Sequence, residues 1–137
     1  MSWNNKQDLI PIQEIQVKVT NETVKFAERF GDYLATKEDF AEPLTTSQLR
    51  KFFGEVKRQQ MTGYQETNFV MLKPKLAYAV GRAKSGKKKH MKIEDFYAVM
   101  ADAIDKVNES ADKEKAFKNF ITIFEAIVAY HKASEKK

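Results

Sequence analysis

Along most of this chain the apolar residues recur every three or four positions, the spacing of helices that each bury one face. The first nineteen residues break that rhythm. There "LIPIQEIQVKV" alternates apolar and polar for a few residues, as a short strand does, but no second strand pattern follows to pair with it. The pattern therefore predicts a mobile arm over residues 1–19 and a single helical bundle over residues 20–137.

From Thr20 the positions Val24, Ala27, Phe30 and Leu34 share one helical face, and Gly31 weakens that helix without ending it. A second helix is predicted over residues 46–60. Thr45-x-x-Gln48 supplies a capping box at its start, and Leu49, Phe52, Phe53 and Val56 form its apolar stripe. The third, "TNFVMLKPKLAYAVGRAK", is apolar on nearly all sides and is expected at the centre of the domain. Pro74 lies within it and must either kink that helix or start it, because a proline in a helix interior costs about 3 kcal/mol. A fourth helix over 92–107 carries Ile93, Phe96, Tyr97, Met100, Ile104 and Val107, with Glu94 and Asp95 favouring the positive end of its dipole. The fifth, over 112–133, carries Phe117, Phe120, Ile121, Phe124, Ile127, Val128 and His131. The fold class read from this pattern is all-α, a compact bundle of five or six helices.

A chain of 137 residues can bury one core of ordinary size. It contains no cysteine, which excludes disulfides and thiolate metal sites, and nothing in it resembles a signal peptide or a membrane-spanning run. A soluble cytoplasmic protein is expected.

Charge is distributed in blocks. The net charge of +5 divides into −3 over residues 1–43, +10 over residues 44–92 and −2 over the remainder; the middle block holds twelve Lys/Arg against only Glu55 and Glu66. Such blocking points to a polyanion-facing surface. The acidic outer segments are then available to positive neighbours in an assembly.

Catalytic chemistry is hard to assemble from these residues. "GRAKSGKK" resembles a phosphate-binding P-loop, but Lys88 stands where that loop needs a Ser/Thr hydroxyl, and a helix rather than a strand precedes it. Its glycines read instead as helix-end punctuation, with Gly86 suited to a positive φ. His131 falls on an apolar stripe and reads as a packed residue, while His90 reads as part of the basic loop. No metal or cofactor site is expected.

The basic residues have better geometry. Arg50, Lys57 and Arg58 stand at i, i+7 and i+8 on the second helix, clear of its apolar stripe, and Lys73, Lys75 and Arg82 stand on the third. Two adjacent helices are thus expected to present one continuous positive rail. Most Phe belong to the core stripes, so Tyr64 and Trp3 are the aromatic residues read as exposed contacts.

Three segments, "LTTSQLRKFFGEVKR" (44–58), "LKPKLAYAVGR" (72–82) and "FEAIVAYHK" (124–132), resemble in order and spacing those of the small helical subunit of type III-A CRISPR effector complexes, the Csm small subunit. The resemblance implies a non-catalytic protein that stacks in several copies inside a filament, beside the backbone and large subunits, and touches guide (crRNA) and target RNA. By position it makes Arg50, Arg58, Lys75 and Arg82 the RNA-facing residues; Lys51, Lys57 and Lys73 join them on charge alone. Leu49, Phe53, Tyr78, Phe124 and Tyr130 would be structural. The lysines of "SGKKKH" lie outside the matching segments.

Two rival readings follow from the residues. A stand-alone helical DNA-binding transcriptional regulator would use the same charge, but needs polar side chains at the start of a recognition helix where this third helix is mostly apolar. An enzyme would have Asp102 and Asp105 as its nearest acid pair, a spacing more typical of a solvated helix face.

Overall fold

A computed structural model of the chain describes residues 3–135. Its elements in chain order are α1 (Ile12–Gln16), α2 (Asn21–Ala35), β1 (Ala41–Glu42), α3 (Thr46–Thr62), α4 (Glu66–Val70), α5 (Leu72–Lys84), β2 (His90–Met91), α6 (Lys92–Asn108) and α7 (Lys113–Glu135). The five longer helices are those the apolar spacing predicts, and the fold is mostly all-α, with a short parallel ladder that pairs Ala41 with His90 and Glu42 with Met91 and an isolated bridge between Glu38 and Ala41.

α6 and α7 form the centre. α6 buries Ile93, Phe96, Val99, Met100, Ala103, Ile104 and Val107, and α7 buries Phe117, Phe120, Ile121, Phe124 and Ile127. α2 lies close along α7, and Gly31 is the reason it can. A Cβ built at Gly31 would lie 2.8 Å from the Tyr130 Cβ and 2.8 Å from the His131 backbone nitrogen. The glycine thus gives up about 1 kcal/mol of helix propensity in return for close helix packing. His131 is buried there as expected, and its Nε2–H donates to the Leu44 carbonyl at 2.7 Å, holding the segment that leads into α3.

Three expectations need correction. Residues 3–19 are not a free arm. Ile10 and Ile15 are buried, and the Trp3 ring packs 4.7 Å from Phe30 and 5.4 Å from Tyr33. Asn119 donates to the Ile15 carbonyl and Lys106 to the Ile10 carbonyl, which satisfies backbone that a lone strand would leave open. The alternation was too short to define a strand; after Pro11 the chain turns into α1 and packs against α6 and α7 instead.

α5 is peripheral, not central. It buries only Leu72 and Leu76, while Tyr78 is 69% exposed. Its apolar count rests largely on Ala77, Ala79 and Ala83, which offer little area to bury. Pro74 is resolved in favour of a start: α4 ends at Val70, and Pro74 is the third residue of α5, where its missing N–H would have had no helical partner. Finally, Gly81 lies inside α5, so of the two loop glycines only Gly86, at φ +73°, punctuates the chain.

Candidate nucleic-acid interface

α3 opens with the expected capping box. The Thr45 hydroxyl accepts from the Gln48 N–H at 3.1 Å, and the Gln48 side chain accepts from the Thr45 N–H at 2.9 Å. The helix then docks through Leu49, Phe52 and Val56, with the Phe52 ring 5.6 Å from Phe96 and 5.5 Å from Phe124. α5 is held by Leu72 and Leu76 against α6. The two helices do not close on one another. A groove of about 490 Å³ runs between them, floored by Phe52, Leu72, Leu76, Ile93 and Phe96 and edged by Lys51, Lys75 and Arg82.

The structure divides the expected rail. Lys57 pairs with Glu125 of α7 at 2.8 Å, and Lys73 with Asp105 of α6 at 2.7 Å, so each is drawn to an acid on a different helix. Arg58 and Lys75 both pair with Glu55, the latter at 3.4 Å. Arg50, Lys51 and Arg82 are exposed and have no ion-pair partner among the described residues; the Arg82 guanidinium sits 6.0 Å from the centre of the Tyr78 ring. Tyr78, expected to be structural, is therefore the exposed aromatic of this surface. The nominated Trp3 and Tyr64 are packed, with the Tyr64 ring 5.3 Å from Phe117 and its phenol pushed up by burial.

Sequence blocks of charge interleave in space. Of the twelve cations in residues 44–92, Lys57, Lys73, Lys84 and Lys92 pair with Glu125, Asp105, Glu94 and Glu38, all acids of the outer segments. Those acids are spent inside the chain rather than held for neighbours. Lys87, Lys88 and Lys89, which the spacing argument left aside, are exposed and unpaired among the described residues. Lys92, counted as part of the basic surface, is fully buried. Its Nζ donates to the Tyr33 carbonyl at 2.6 Å and the Thr36 carbonyl at 2.7 Å, and it lies 2.8 Å from Glu38. That ammonium holds Glu38 below the usual carboxylate range. No spacing rule could have marked this lysine, because its partners end a helix more than fifty residues earlier.

His90 departs from the basic loop as well. Its Nε2 lies 2.8 Å from Asp95 and its Nδ1 3.3 Å from Glu94. Asp95, almost wholly buried, also accepts from the Tyr33 hydroxyl at 2.6 Å and from Asn5 at 3.0 Å. Burial, reinforced by that bond to Asp95, pushes the Tyr33 phenol well up. Glu94 is held down: burial opposes its charge, but the Met91 N–H, Lys84 and His90 outweigh it. Every group here is tied to a neighbour, and the cluster acts as a brace joining the N-terminal segment, α2 and the start of α6. Asp102 and Asp105 are similarly occupied, by Lys106 and Lys73. Among the described residues there is no group of three or more side chains able to hold a metal, and no helix is long and apolar enough to cross a membrane.

In comparisons with known proteins, the family model described as Csm2 Type III-A matches residues 18–137. No curated protein and no solved structure matches the chain.

Proposed function

The chain belongs to the Csm2 Type III-A family, the small subunit of type III-A CRISPR complexes, and on that premise we propose that it is a non-catalytic RNA-binding subunit of such a complex in the cytoplasm. In this reading several copies stack along the guide–target RNA, beside the backbone and large subunits, and support antiviral defence by holding RNA phosphates. The observation that carries it is the set of exposed cations on α3 and α5 that have no ion-pair partner among the described residues, namely Arg50, Lys51 and Arg82. Point charges on rigid helices are sufficient where guide pairing reads the sequence. Arg58, Lys57, Lys73 and Lys75 join as a second rank. Their acid partners are surface pairs worth about 0–1 kcal/mol, which a phosphate can replace at little cost. Stacked copies add avidity to a modest single-chain affinity.

Gentle purification of the tagged protein from its host, with native mass spectrometry and RNA sequencing, tests the assembly. Recovery with several other proteins and short guide RNAs is expected. Recovery alone, or with chromosomal DNA, would overturn the reading in favour of a DNA-binding regulator. The phosphate contacts are tested by reversing Arg50, Lys51 and Arg82 to Glu together. RNA affinity is expected to fall and the log–log salt slope to shrink by about 2; an unchanged slope would remove these residues from the interface.

A further inference from the structure

We propose that the groove between α3 and α5 receives one unpaired nucleobase of a bound RNA strand, with the neighbouring phosphates on Lys51, Lys75 and Arg82. The inference rests on the RNA-binding reading and adds a base-dependent contact to it. About 490 Å³ lies within the range of small-ligand sites, and this groove has the build of one, with an apolar floor and a few polar groups at the edge. Its floor includes Phe52 and Phe96, and among the described residues it stays open to solvent.

Charge selects the occupant. Three cations stand around the groove, on two helices, against a single carboxylate, Glu55. Glu55 already pairs with Arg58 and Lys75, so a phosphate arriving at Lys75 displaces one of two cations from Glu55, which keeps Arg58, rather than meeting uncompensated negative charge. Lys75 and Arg82 are seven residues apart, two turns of one helix face, and so lie about 10 Å from one another along the axis. That separation leaves room for phosphate on either side of an inserted base. Tyr78 stands between them in sequence, 69% exposed, with the Arg82 guanidinium over its ring. A ring and a guanidinium are the two planar surfaces on which unstacked bases settle. An acidic peptide would satisfy the cations but would not use these planar faces, which favours the nucleobase.

Fluorescence anisotropy on the full chain, at low salt, would compare a single-stranded RNA with the same RNA carrying abasic sites. The wild-type protein is expected to bind the intact strand about 5- to 100-fold more tightly. Tyr78→Ala, at an exposed position, and Ala79→Trp, which fills the groove, should each shrink that ratio towards one while leaving the salt slope unchanged. Tyr78→Ala keeps the test decisive if the tryptophan disturbs folding, as circular dichroism would reveal. Equal binding of intact and abasic RNA by the wild type would overturn the base inference and leave the phosphate reading standing; no binding of either RNA would overturn both. A full ratio retained in both variants would place the base elsewhere. Displacement of RNA by an acidic amphipathic peptide, without base dependence, would assign the groove to a protein partner and overturn the proposal.

Discussion

The seam between α2 and α7 and the groove between α3 and α5 use the same kinds of residue to opposite ends. Along the seam a glycine brings two backbones together, Phe30, Leu34 and Ile127 are excluded from water, and the buried His131 has its carbonyl partner. Across the groove two helices stand apart, an aromatic ring faces solvent, and Lys51 and Arg82 have no ion-pair partner among the described residues, while Lys75 keeps Glu55. The seam has satisfied its groups internally; the groove leaves Lys51, Tyr78 and Arg82 open to solvent, where the proposed RNA contacts would fall. Stability and binding are thereby separated, and substitutions on the two sides should report differently.

The largest effect should come from the seam. Gly31→Leu forces a side chain onto the backbone of α7, which cannot yield, and should cost about 3 kcal/mol or more, seen as a collapse of the melting temperature or loss of soluble protein. A stable Gly31→Leu variant would show that the helices do not pack as described. Next is Lys92→Met, which takes the buried ammonium away from the Tyr33 and Thr36 carbonyls and from Glu38; about 2–3 kcal/mol should be lost in urea denaturation.

Acid should act through the same brace, more gradually. Glu38 and Glu94 have pKa values lowered by folding, so the unfolded chain binds their protons more readily. Their contribution is present above the ordinary carboxylate pKa of about 4.3 and is lost as pH falls through their lower folded values. The urea midpoint should therefore decline below about pH 4.5, and Glu94→Gln should flatten that decline. Smallest of all is the groove: Lys51→Glu or Arg82→Glu should move stability by no more than about 0.5 kcal/mol while weakening RNA binding. A large loss of stability there would erase the distinction between the two regions.

How far each region was legible follows from the range of its interactions. The five long helices and the α3 cap could be read because their signals lie within one or two turns of chain. Gly31 could be seen to weaken a helix, but its packing use could not, since Tyr130 and His131 are about a hundred residues away. The basic surface was legible as composition and only partly as geometry. Arg50 and Arg82 are exposed on the helices where spacing put them, and Lys51, added on charge alone, is exposed too, but the pairing of Lys57 with Glu125 and the burial of Lys92 depend on which distant acids the fold brings near. The N-terminal segment was misread for a related reason: its apolar residues find partners on α2, α6 and α7, not in a neighbouring strand.

The small parallel ladder has a topological consequence. By joining Ala41 to His90 and Glu42 to Met91, it clasps the chain on both sides of everything from α3 to α5. Both walls of the groove, α3 and α5, thus belong to one excursion closed at its neck, while Ile93 and Phe96 of α6 supply part of the groove's floor from outside it. Such a loop can open as a unit while the remaining helices stay folded. In amide hydrogen exchange, α5 should lose protection at lower denaturant than α6 and α7, and the excursion could vary in length or charge without redrawing the rest of the molecule.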